Sequence, residues 1–268
     1  MSKAIKLVLD ILIGALAPVL ILKYGTARMG TLPAYLTAAF VPVVWVLLDL
    51  FVMTRRFNFI SAYAGFGAIM RGALAFWYVT GALFAFKDSA SYLLAVLVFG
   101  LSAFVARPVT RSIAFQGLAP ASPDEERSLE HLMDEPTVVR ALKQSAIVIA
   151  LTNFAAGVVN YVINFRIVVA PFNTPAFNDQ VANVNAITRV VLVLPDMLAL
   201  FWAFSLMYKA MYALLPAEAS DDPKGDDFWT LVRRRERALA GGTSASIATE
   251  AITQTKANRQ AREDFGLS

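Results

Sequence analysis

The sequence predicts an all-α membrane protein, a bundle of six transmembrane helices with both termini on the cytoplasmic side. Three observations carry this prediction. Hydrophobic residues make up 57% of the 268-residue chain and charged ones only 16%, against roughly 25% charged in a soluble domain. The apolar residues gather into runs of membrane length, ~20 residues each. Lysine and arginine concentrate in alternate loops.

The expected spans cover about residues 4–24, 32–53, part of 59–86, 89–106, 144–169 and 186–214. The first resembles a secretory signal, with Lys3 and Lys6 before an apolar run and an Ala15–Leu16–Ala17 cleavage-like triplet. Asp10 interrupts that run and Pro18 would follow the cut, so the segment reads as a retained span. Orientation follows from Lys3, Lys6, Arg55 and Arg56, then Arg107, Arg111, Arg127, Arg140 and Lys143, then the arginines after span six. With six spans these share one side, which the positive-inside rule makes cytoplasmic. Lys23, Arg28 and Lys87 form the thinner opposing set.

The membrane domain is expected over residues 1–215, with a cytoplasmic linker at 107–143 and a tail at 216–268. The linker contains "SPDEERSLEHLMD", with Ser122 as N-cap, Pro123 at the first helical position and acids in the first turn. Leu129, Leu132 and Met133 share one face, for resting on the membrane surface or bundle, or for a partner. In the tail, "DDFWTLVRRRERALAGG" predicts a short amphipathic helix with Phe228, Leu231, Val232 and Leu239 towards lipid. Arg233, Arg234, Arg235 and Arg237 would then meet anionic headgroups, at ~1 kcal/mol each. After Gly241 the chain is small and polar, the composition of a flexible end.

The polar residues inside spans carry the functional question. At ~3.6 residues per turn, Asn153, Asn160 and Asn164 fall within about 40° of one another on span five. Such a stripe must face protein or water, because an unsatisfied amide in hydrocarbon costs several kcal/mol. Span six has its own polar face of Asn185, Arg189 and Asp196, so the two faces are expected to meet in a seam. Asp196, in mid-span, is a functional candidate by position, and Pro195 before it frees the carbonyl of Val191. Arg71 in span three is its expected ion-pair partner and Arg189 the competitor, while Arg71 could also snorkel to the interface. The asparagines fit either a bond between helices, at ~0.6 to 2 kcal/mol each, or a solute pathway.

Cysteine is absent, which excludes disulfides and thiol chemistry, and the single histidine, His131, lies in the linker. No metal site, cofactor or nucleic-acid partner is therefore expected. The phosphate-loop, metalloprotease and serine-hydrolase signatures are missing as well. An intramembrane aspartyl hydrolase would need two facing aspartates, and only Asp196 is well placed. The expectation is a non-enzymatic protein.

Several phrases carry a family resemblance: "PVLILKYG" in span one, "LPAYLTAAFVPVVWVLLDLFVMTRRFNFIS" around span two, "LVFGLSAFVARPV" ending span four and "NTPAFNDQVANVNAITRVVLVLP" before the last span. Together they resemble small bacterial polytopic inner-membrane proteins of the intracellular septation protein A-like type, over roughly residues 7–210. The resemblance implies a multi-pass protein of the bacterial cytoplasmic membrane with a loose link to envelope maintenance or septation. It supplies no catalytic residue. It marks Phe177 and Asn178, before the last span, as an outer-loop motif, while the arginine-rich tail departs from the short-ended members. The leading expectation is an envelope or septation-associated structural protein, in contact with lipid and with a membrane-protein partner or a second copy of itself. The alternative is a small-solute or proton-coupled transporter that uses the seam between spans five and six.

Overall fold

The computed structural model describes residues 8–10, 12–54, 59–216 and 227–241. Lys3, Lys6, Arg55, Arg56 and the tail beyond Gly241, on which part of the orientation and tail expectations rest, lie outside the described residues. Every regular element among those described is helical. In chain order these are α1 (Val8–Met29), α2 (Thr31–Val52), α3 (Phe59–Ala75), α4 (Gly81–Asp88), α5 (Ala90–Ser102) and α6 (Val109–Leu118). Then follow α7 (Pro123–Asp134), α8 (Pro136–Ile167), α9 (Pro175–Tyr212) and α10 (228–241).

Four of these helices, α1, α2, α8 and α9, are long and apolar enough to cross a membrane. The pair α4 and α5, bent by 46° at Ser89, makes a fifth if it is taken as one span. Helix α3 is apolar but has only 17 residues, about 25 Å at ~1.5 Å per residue, against a hydrocarbon core of ~30 Å. The outward faces are apolar too: Val190 is 78% exposed and Phe201 74%. Rows of such side chains on consecutive turns belong in lipid.

The expected third span is divided differently. The helix ends at Ala75, residues 77–80 are non-helical, and a new helix starts at Gly81, whose φ of +59° reverses the chain. Hydropathy does not register this break, because the turn is itself made of Trp77, Tyr78 and Val79. Lys87 and Asp88, read as the loop between spans three and four, therefore lie inside a bent helix pair.

The chain forms two compact units, residues 1–117 with 139–207 and residues 118–138 with 208–268. Helix α7 thus groups with the tail. In the first unit, α1 carries π-helical turns at Leu12–Leu16 and Ile21–Gly25 around Pro18. Proline lacks the N–H of a regular ladder, and wider turns near it free carbonyls. Gly30, at φ +90°, turns the chain into α2. Small residues allow close helix approach: a Cβ on Gly157 of α8 would come within 2.9 Å of Tyr92 Cβ on α5. Two hydroxyls also tie helices together. Thr110 Oγ1 of α6 donates to Leu142 O of α8 at 2.7 Å, and Ser145 Oγ of α8 reaches Ala203 O of α9 at 2.8 Å.

In the second unit, Ser122 caps α7 as expected, its Oγ accepting from Glu125 N at 3.2 Å. The apolar faces of α7 (Leu129, Leu132, Met133) and α10 (Leu231, Val232) are buried. Arg233 of α10 pairs with Glu125 at 3.0 Å, and Arg235 pairs with Glu135.

Candidate functional site

The asparagine stripe on α8 reaches the bent helix pair. Asn160 Nδ2 donates to Asp88 Oδ2 at 3.1 Å and to Ser89 Oγ at 3.0 Å. One turn on, Asn164 Nδ2 donates to the same Asp88 oxygen at 2.9 Å and to Asn160 O at 2.9 Å. Both asparagines are buried, so one carboxylate oxygen at a helix break gathers two amides. The expected polar partners on span six are replaced by Asp88, which falls between the expected third and fourth spans. The helix break before Gly81 is what carries it to the level of Asn160 and Asn164.

Beside this knot lies a cavity of about 380 Å³ to which α1, α2, α3, α4, α5, α8 and α9 all contribute. Its charged lining is Arg71 from α3, Lys87 and Asp88 from α4 and Arg189 from α9. Lys87 is buried and engaged: its Nζ donates to Trp77 O at 2.6 Å and faces the rings of Tyr35 and Phe84 at 5.3 and 5.4 Å. Cation and ring attract through the ring quadrupole, so Lys87 caps the 77–80 turn. Arg189 Nη2 donates to Gly14 O, in a π-helical turn of α1, at 2.8 Å. Arg71 Nε makes a long contact of 3.4 Å to Gly67 O. None of the three cations forms an ion pair with a carboxylate among the described residues.

The ion pairs expected at Asp196 are accordingly not made. Arg71 and Arg189 both line the 380 Å³ cavity, whereas Asp196 lines a separate one of about 250 Å³ with Tyr63, Thr152 and Asn153. Asp196 Oδ1 is buried with no hydrogen-bond partner among the described residues. Asn153 turns its amide back to Ile149 O at 2.8 Å. Sequence spacing could place these groups on helix faces but not at depths, and depth decides the pairing. A third hollow, about 570 Å³ along α1 and α2, is larger, but its lining is apolar (Val41, Val44, Leu48) and suits an acyl chain.

Phe177 and Asn178 are not in a loop. They occupy the first turn of α9, after a cap in which Thr174 Oγ1 accepts from Phe177 N at 3.2 Å. Both are fully buried. Phe177 meets Phe84 edge-on at 5.1 Å, and Asn178 Nδ2 donates to Thr26 Oγ1 and Thr31 O, each at 2.9 Å. The pair bolts the α1–α2 turn to α9. The tail arginines are engaged differently from the expectation as well: Arg233 and Arg235 hold acids, while Leu231 and Val232, expected to face lipid, are 2% and 1% exposed. Glu125 on α7 and Glu135 just after it neutralise these arginines, a competition with headgroups that the tail segment alone does not show.

No group of three or more histidine, aspartate or glutamate side chains is placed to hold a metal among the described residues. The fold and cavity define an all-helical protein of membrane-length apolar helices with a charged hollow in its first unit. No family model, curated protein or solved structure matches the chain.

Proposed function

We propose that the protein is a non-enzymatic, small-solute transport protein of a bacterial cytoplasmic membrane, with six spans (α4 and α5 together forming one) and both termini cytoplasmic. The cavity of about 380 Å³ with its charged lining carries this reading. A scaffold gains nothing from uncompensated charge at membrane depth, where such groups are costly and line pathways or bind ligands. The volume lies within the range of small-molecule sites, ~300–1,000 Å³. The pathway moves away from the seam between spans five and six: Asn160 belongs to the knot on its wall, and Arg189 lies on its lining.

The second reading is the envelope or septation-associated structural role. It is favoured by the Asp88–Asn160–Asn164 knot, whose bonds hold helices together. The natural absence of cysteine separates the two. Single cysteines would be placed at Ser91 and Asn185 on the cavity wall, at lipid-facing Val190 and at exposed Asn173. A membrane-impermeant thiol reagent is then applied to intact cells and to inverted vesicles, since thiolates form where water reaches. Transport predicts labelling at Ser91→Cys and Asn185→Cys from at least one side, and none at Val190→Cys. Labelling of Asn173→Cys alone, from intact cells, with the cavity cysteines unlabelled in both preparations, would mean a dry bundle and would favour the structural role.

A further inference from the structure

We infer that the cavity binds a doubly charged oxyanion, a dicarboxylate or phosphate group held between Arg71 and Arg189. This rests on the cavity being the solute site. The argument is one of charge and of unused donors.

Three cations line the cavity against one carboxylate. Lys87 and Asp88 are neighbours in sequence, and each is held by protein: Lys87 by Trp77 O and two rings, Asp88 by Asn160 and Asn164. They cancel, and neither has to leave its partners. That leaves the charges of Arg71 and Arg189. Each guanidinium has five N–H donors. Arg189 commits one short bond, to Gly14 O, and Arg71 only its long contact through Nε. Both Nη groups of Arg71, and Nε and Nη1 of Arg189, have no partner among the described residues.

Arg71 and Arg189 are both exposed, and two like charges without counter-ions lining one cavity repel each other. An oxyanion with two negative charges restores neutrality, and its geometry matches the planar fork of arginine bidentately, as it does not match a lysine. A neutral sugar would leave both charges uncompensated, and a cation would add to them. Pro18 has no N–H to offer the Gly14 carbonyl four residues earlier, and the bond from Arg189 to that carbonyl gives the arginine a fixed orientation before the ligand arrives. The oxyanion could belong to a soluble molecule or to a lipid headgroup phosphate. The chemistry at the arginines is shared.

The test uses the full chain carrying Asn185→Cys, reconstituted in phosphatidylcholine nanodiscs, with the rate of thiol labelling as readout. Succinate and inorganic phosphate are the probes, and glucose and choline the controls. Saturating succinate or phosphate is expected to slow labelling about tenfold, glucose and choline not at all. Arg71→Gln and Arg189→Gln should each weaken protection about tenfold, the cost of one charge-assisted fork. Arg71→Lys and Arg189→Lys, which keep charge but lose the fork, should protect at an intermediate concentration, and unchanged thermal melts exclude misfolding as the cause. If labelling is slow in phosphatidylglycerol discs and fast in phosphatidylcholine discs, with the same arginine dependence, the oxyanion is a headgroup phosphate. Protection by glucose or choline, or by none of the four, overturns the oxyanion while leaving a wet cavity. Absence of labelling under every condition is a different failure, that of the solute site itself.

Discussion

Two ends of one stripe behave differently. Asn164 and Asn153 share a face of α8, about three turns apart. Near Asn164, a carboxylate collects two buried amides; near Asn153, a carboxylate oxygen on α9 is buried with no hydrogen-bond partner among the described residues. The difference lies in what stands opposite. Asp88 sits at a helix break, where the ladder is interrupted and a side chain can be aimed at α8. Asp196 sits within a continuous α9 and faces a cavity partly lined by Ala95, Phe99 and Ala199. A polar residue in a span is thus a bolt in one place and an unmet need in the other, and sequence position alone does not separate the two.

The largest expected effect breaks the comparison at its two carboxylates. Asp88→Leu strands one donor on each of two buried asparagines. Asn160 keeps Ser89 and Asn164 keeps the Asn160 carbonyl. At roughly 1–3 kcal/mol per orphaned buried donor, the loss should be about 3 kcal/mol. Asp196→Leu removes a carboxylate whose buried oxygen has no hydrogen-bond partner among the described residues, and should raise stability by about 1 kcal/mol. Unfolding in mixed detergent micelles, followed by circular dichroism, reads both. Equal destabilisation by the two would mean that Asp196 has a partner in the membrane, and the contrast would fail.

A smaller effect sharpens the comparison along the stripe itself. Asn164→Ala should cost about 1–2 kcal/mol, near the upper end for interhelical bonds in membranes. Asn153→Ala should cost less than about 0.5 kcal/mol, because its amide bonds only its own helix. The same unfolding measurement decides. If the two substitutions are equivalent, the stripe acts as a unit and the bond to Asp88 has no special weight.

The helices and the stripe were legible for a simple reason: apolar runs and a period of 3.6 residues are properties of the chain taken locally. The seam was legible as a need for partners, not as a choice among them. What hid the partner was the turn at 77–80, built from aromatic and β-branched residues that hydropathy counts as membrane interior. With that turn unseen, Lys87 and Asp88 became a loop, and the only carboxylate left in mid-span was Asp196. Aromatic residues collect at membrane interfaces, and with Thr80 and Gly81 behind them they were the available signal. The tail was misjudged for a related reason. An amphipathic basic helix reads as a lipid binder when seen alone, but α7 offers Glu125 and a buried apolar face, and Glu135 follows at its end. Competition between partners is not visible in either segment by itself.

The rule that a carboxylate is defined by its donors extends beyond the spans, where the expected effect is smallest. Asp227 precedes α10, and its Oδ1 accepts from Thr230 N at 2.7 Å. The Thr230 hydroxyl, and behind it that backbone N–H, hold the Asp227 carboxyl below its ordinary value of 3.8. Bonds donated to the ionised form favour it. A group whose pKa is lowered by folding stabilises the fold above its unfolded value and loses that contribution as pH falls through the folded value. Hydrogen exchange of residues 228–241 should therefore show stronger protection in the wild type than in Asp227→Asn at pH 6. The ratio should fall towards one as the pH is taken below 3.8 and through the lowered folded value. The pairs of Arg233 with Glu125 and Arg235 with Glu135 are present in both proteins and cancel in the ratio. A ratio constant across this range would make the cap one of shape rather than charge. In that case Asp227 would resemble neither Asp88 nor Asp196, since an uncharged acceptor would serve it equally well.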